Sequence, residues 1–289
     1  MTGRREGAFN MSVHDRRLEV YMACTRAAEY VLARQCPDGG FCFYRTQDLN
    51  EPNLADTYHA LSVLRLLGRE VPRCEQVLSF SSGFPGRSQP DDLYHLTGIA
   101  LLTQAEAPVL SAYREPSMAL SLAPPPHRQS TEVSAWLTRA RTVVLLKRRL
   151  GVLAHSQGLC PIIVSLMHDG GFGPGPNLLD TLSAIEILAA HDVPLAMPGL
   201  ARFIDELQHP SCTFTMTRTS RMERLELAAA GVACCRVLKT PVRYATEALR
   251  FILACQTQHG GFAAAPDALP DIVLTHQAVA TLLALNALP

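Results

Sequence analysis

The chain has 289 residues, 48% hydrophobic and 18% charged, with 26 Lys plus Arg against 26 Asp plus Glu. Balanced charge removes the electrostatic case for a nucleic-acid partner, and no run reaches the ~20 uninterrupted apolar residues of a transmembrane helix. Nine scattered cysteines, an odd number, fit thiols in a reducing cytoplasm better than a disulfide framework.

Residues 1–13 are charged and polar, with no apolar signal stretch, and read as a lead-in. Residues 14–289 read as one domain with a sizeable core. Only Lys147 and Lys239 are lysines, an arginine bias that reads as the base composition of a GC-rich bacterium.

The sequence is organised by a returning phrase: a helix ending in Gln, a Gly-Gly-Phe turn, then an acidic residue opening a second, apolar helix. Its first copy is Gln35–Cys36–Pro37–Asp38–Gly39–Gly40–Phe41, followed by Asp56–Thr57–Tyr58–His59. A degenerate copy follows, with Gly83–Phe84 ahead of Asp92–Leu93–Tyr94–His95. The proline-rich Ala123–Pro124–Pro125–Pro126–His127 predicts a rigid loop, a lid or edge of a cavity mouth. Glu132 then opens an apolar run through Trp136 and Leu137 without a preceding turn. The phrase returns at Asp169–Gly170–Gly171–Phe172 before Asp180–Thr181, at Cys212–Thr213–Phe214 before Glu223, and at Gln258–His259–Gly260–Gly261–Phe262 before Asp271.

A unit of this size cannot bury its apolar face alone, so the units must stack. Acidic residues at helix starts accept bonds from orphan N–H groups and suit the positive end of the dipole. The glycine pairs suit a sharp reversal. Helices after the acidic residue, such as Ala60 to Leu67, are apolar or small nearly all round and predict an inner layer. Those before the turn carry charges, such as Arg243, Glu247 and Arg250, and predict an outer layer. Six openings predict an all-α ring of six helix pairs.

The Gln…Gly-Gly-Phe…Asp-Thr phrase resembles that of the terpene cyclase and protein prenyltransferase superfamily, over nearly the whole chain from about Arg16. The resemblance implies an (α/α)6 toroid whose inner helices surround a deep apolar cavity for an isoprenoid chain. Class II terpene cyclases carry Asp-x-Asp-Asp at a matching place, and here Gln89–Pro90–Asp91–Asp92 keeps the last two acids while Gln89 replaces the first. The resemblance then implies that Asp91 protonates an alkene or epoxide, supported by Asp92 and by His95 or His59. A blander reading stands beside it, in which Asp91 and Asp92 are an exposed cap pair.

Prenyltransferase β subunits instead hold zinc with an Asp-x-Cys and a histidine. Here Asp56, Asp92 and Asp180 are followed two places on by Tyr58, Tyr94 and Leu182, so the thiolate is missing and no tightly bound metal is expected. Tyr58, Tyr94 and His276 are candidates for lining the cavity rim. Arg45, Arg87 and Arg218 would grip a diphosphate if the substrate carries one, with Mg²⁺ then a candidate. A single Trp and 6% aromatics weigh against a long carbocation cascade. A compact class II-type cyclase of a linear isoprenoid is the leading expectation. A prenyltransferase β-like chain requiring a partner subunit is the second, and a non-catalytic lipid- or protein-binding toroid the third.

Overall fold

A computed structural model describes residues 13–43, 50–84, 89–154, 158–211 and 213–287. Six helices form an inner ring: α2 (Leu54–Leu66), α4 (Pro90–Leu102), α6 (Glu132–Arg149), α8 (Leu178–Ala190), α10 (Leu225–Leu238) and α12 (Ile272–Asn286). Each packs on the next, and α12 packs on α2 to close the circle. Outside them lie α1 (Val13–Leu32), α3 (Cys74–Ser82), α5 (Ala107–Ala119), α7 (Leu159–Ser165), α9 (Leu200–Glu206) and α11 (Ala245–Ala254). The expected (α/α)6 toroid is what the chain forms. Strand is confined, among the described residues, to three two-residue hairpins at the later turns, such as Met167–His168 with Gly171–Phe172. No helix among the described residues is long and apolar enough to cross a membrane.

The turn phrase has a consistent physical role. Phe41, Phe172 and Phe262 are fully buried, and each of their backbone N–H groups donates to a threonine hydroxyl of the following inner helix. The partners are Thr57, Thr181 and Thr275, at 3.0 Å in every case. Each turn is thereby fixed to the helix it precedes. The first glycine of the turn fixes it to the outer layer. Gly39 has φ +94° and Gly260 φ +89°, and a Cβ on either would overlap backbone, of Gln76 in α3 and of Arg26 in α1 respectively. The Gly260 contact closes the outer layer from its last turn to its first helix.

The helix openings differ in detail from the expectation. Asp56 and Asp180 are not caps; the caps are Asn53 and Asn177, whose side-chain oxygens accept the N–H of Asp56 at 2.8 Å and of Asp180 at 2.9 Å. The carboxylates reach back to the asparagine amides, at 2.7 Å from Asn53 and 2.6 Å from Asn177. Cap and acid thus satisfy each other, as in a capping box. Asp271 is itself the cap of α12 and accepts from Leu274 N–H at 2.6 Å. In α4 the cap position is Gln89, with Pro90 at the first turn, so Asp92 carries no cap bond. Glu223 precedes α10, whose first turn holds Glu226.

Thr181→Val keeps shape but leaves the buried Phe172 N–H without an acceptor. Such a loss costs about 1–3 kcal/mol, and urea unfolding should show a drop in that range. A change within error would contradict the role given to the joint.

Candidate functional site

The shared Asp-x-Tyr-His of α2 and α4 places the same two rings one turn into adjacent inner helices. There they meet. Tyr58 and Tyr94 stand edge to face with ring centres 5.6 Å apart, and His95 lies 5.5 Å from Tyr58 and 6.0 Å from His59. Ring closure brings in α12: His276 Nδ1 is 2.8 Å from His59 Nδ1, with ring centres 5.0 Å apart. One imidazole donates and the other accepts, which requires opposite tautomers of two neutral rings.

Burial sets the charge states. It pushes His59 down to about 3, helped by the charges that His276 and His95 would carry. It pushes His276 down to about 4. His95 is also lowered by burial, against the nearby Asp91 carboxylate that raises it, while Arg149 lowers it further. Tyr94 is pushed up to about 12 by burial and by Tyr58 beside it.

Arg149 completes the cluster from the last turn of α6. Its guanidinium donates to Tyr94 O at 2.9 Å and to the Tyr58 hydroxyl at 3.0 Å, and lies 4.1 Å from the centre of the Tyr94 ring. α6 and α2 are not neighbours in the ring, so this contact must pass α4. Gly98 gives the passage, because a Cβ there would overlap the Tyr58 ring and lie 2.8 Å from Arg149 Nη1. An ion pair, Arg141 with Glu186, joins α6 to α8.

Asp91 and Asp92 stand in the first turn of α4. Asp91 is exposed and Asp92 half-buried. Asp91 lies one turn before His95 and therefore on the same helix face, close enough for its charge to act on that imidazole. Burial, and then the charge of Asp91, raise the Asp92 carboxyl above its usual value.

Five of the residues singled out in the sequence, Tyr58, His59, Tyr94, His95 and His276, are thus grouped in one cluster, with the exposed Asp91 on the His95 face. Asp92 sits at its edge. Arg218 is elsewhere, held by Glu206 at 2.7 Å and donating to Asp169 O at 2.9 Å in the outer layer. Its reach is spent on those acceptors. Arg45 and Arg87 lie outside the described residues. The proline-rich segment does not border the lumen: Ala123 O accepts from Trp136 Nε1 at 2.9 Å, on the outward face of α6. The resemblance to prenyltransferases raises zinc, but the donor set does not fit it. No group of three or more His, Cys, Asp or Glu side chains among the described residues is disposed around a common point, and Nδ1 of His59 is engaged by Nδ1 of His276.

Arg149, Arg141, Glu186 and Gly98 escape a sequence reading. Arg149 ends the run Lys147–Arg148–Arg149, which reads as an ordinary basic last turn. The available signal was Gly98, an isolated glycine in an apolar helix, which marks a close approach.

The histidine pair generates a pH dependence. In the unfolded chain both imidazoles titrate near 6.5, but folded they resist protonation until about 3 and 4. Between those values the unfolded state binds more protons, so stability rises with pH there. The contribution is complete above about 6.5 and is lost as pH falls through about 4. Thermal melts between about pH 7 and pH 4.5 should show a steeper fall for the native chain than for His59→Asn/His276→Asn. Equal slopes would contradict the neutral pair.

The family model for the prenyltransferase alpha-alpha toroid domain matches residues 15–95 and 125–289. Among solved structures, a variant of the type II terpene cyclase MstE from Scytonema, in complex with its substrate geranylgeranyl dihydroxybenzoate, superposes with a TM-score of 0.61. The two are 13% identical, over 94% of this chain and 99% of that one. Another variant of that cyclase, in complex with its product merosterolic acid A, gives 0.60 at 13% identity over 95% and 99%. No curated protein matches the sequence. At such identity the likeness speaks for the fold, and it agrees with the closed ring described above. With the family model spanning most of its length, the chain belongs to the prenyltransferase alpha-alpha toroid domain family.

Proposed function

We propose that the chain is a class II-type cyclase that protonates a linear isoprenoid in the lumen of the ring. The observation that carries this reading is the position of Asp91. It opens an inner helix on the face of His95, at the entrance to a buried cluster of tyrosines and neutral histidines. Beside it, Asp92 keeps its proton to higher pH than a solvated carboxyl. Asp91, which shares the face of His95, delivers the proton to an alkene carbon, with Asp92 and His95 in support.

The steps balance without a redox partner. One proton adds to a terminal double bond, and the tertiary carbocation so formed is attacked by the next double bond. The faces of Tyr58 and Tyr94 attract positive charge, and Arg149 holds both rings in place. His59 and His276, kept neutral by burial, can accept the proton that the last cation loses. Substrate and product are isomers. No tightly bound cofactor is needed for this sequence of steps; Mg²⁺ would enter only with a diphosphate-bearing substrate. A farnesyl- or geranylgeranyl-type chain suits one lumen better than squalene.

Asp91→Asn should lower turnover of such a chain at least ~100-fold, as expected when a positioned general acid is lost, with little change in melting temperature. Asp92→Asn is expected to be nearly neutral for stability, since Asp92 is not a cap. Turnover should instead fall, but by less than in Asp91→Asn, since Asp92 only supports the donor. Full activity in both variants would remove the carboxyl pair from the chemistry.

A further inference from the structure

The outward face of α6 borders a cavity that has no part in the lumen. Trp136, Val143, Val144 and Lys147 lie along one stripe of the helix, opposite the stripe that carries Arg141, Leu145 and Arg149. An inner helix normally has this face covered by the outer layer. Here α7 has only seven residues and α5 ends at Ala119, so the cover is incomplete. A cavity of ≈ 630 Å³ remains, within the ~300–1,000 Å³ range of small-molecule sites and far larger than the voids of a packed core.

Its roof is built rather than draped. The chain after α5 is fastened to α6 by Lys147 Nζ, which donates to Leu120 O at 2.8 Å, and by Trp136 Nε1, which donates to Ala123 O at 2.9 Å. Most of this roof lies in the stretch between residues 95 and 125 that the family model leaves unmatched. The walls are hydrocarbon, from Leu122, Val144, Leu153, Leu159 and Ile162 among others. Among the described residues no Asp or Glu lines it, and Lys147 is the only ammonium. Burial already disfavours that charge, and the partners it has are backbone carbonyls.

We propose that this cavity is a second binding site, for an amphiphile with a hydrocarbon body and a single carboxylate head placed at Lys147. The body replaces water against apolar walls, and the carboxylate supplies the anion that the cavity lacks. This assignment does not depend on what the lumen catalyses.

Trp136 is the only tryptophan of the chain and stands in the wall, so its emission reports on this site. Full-length protein is titrated with dodecanoate carrying a nitroxide near its tail, and in parallel with unlabelled dodecanoate and dodecanol as competitors. Saturable quenching is expected, reversed by unlabelled dodecanoate. Lys147→Met should weaken dodecanoate at least tenfold while leaving competition by dodecanol within a factor of about two. Val143→Phe, which fills the cavity from α6, should abolish saturable quenching. If circular dichroism shows that variant to be misfolded, Ile162→Phe fills it from α7. Quenching that never saturates, or that persists unchanged in a folded, filled variant because the probe sits elsewhere, would overturn the proposal. So would equal affinity for dodecanoate in Lys147→Met.

Discussion

The packing of α12 against α2 is the contact on which the rest depends. It joins the last inner helix to the first and turns a stack of helix pairs into a ring with an inside. Without it the apolar faces of both end pairs would meet water, and the lumen would be a groove. The same contact sets His276 against His59, with their Nδ1 atoms 2.8 Å apart. Fold closure and the pairing of the two histidines are one event.

Burial then acts on the site in two opposite directions. It raises the Asp92 carboxyl and lowers His59 and His276, because in each case it disfavours the charged form. Both kinds of group are driven towards neutrality. Arg149 is the exception, a fixed charge kept by hydrogen bonds to Tyr58 and Tyr94. At this level the inner helices present aromatic rings and polar groups to one another. Aromatic faces gathered at one depth are what a short carbocation path can use.

Much of this was legible in the sequence, for a definite reason. Gly-Gly-Phe turns and apolar helices are local features, and local periodicity survives in one dimension. The identical Asp-x-Tyr-His of α2 and α4 was enough to group His59 with His95. The phase of each helix start was less legible: Asp56 and Asp180 read as caps because the Asn53 and Asn177 bonds are visible only in three dimensions. Arg149 was hidden in a basic run of which each member takes a different path. Lys147 turns outward, Arg148 bonds Ala189 O, and Arg149 crosses α4 at Gly98. Arg218 looked free in sequence, but folding sets Glu206 beside it. The placement of the proline-rich segment depends on a bond from Trp136 that nothing local announces.

The central claim, that the lumen starts a reaction by adding a proton and ends it by removing one, has a direct isotopic test. Farnesyl- and geranylgeranyl-type chains are incubated with the protein in D₂O, and any cyclised product is analysed by mass spectrometry and deuterium NMR. The account predicts one solvent deuterium per product molecule, located at the carbon first protonated. Products without solvent deuterium, or products that have lost a diphosphate leaving group, would show that ionisation and not protonation begins the chemistry, and would contradict it.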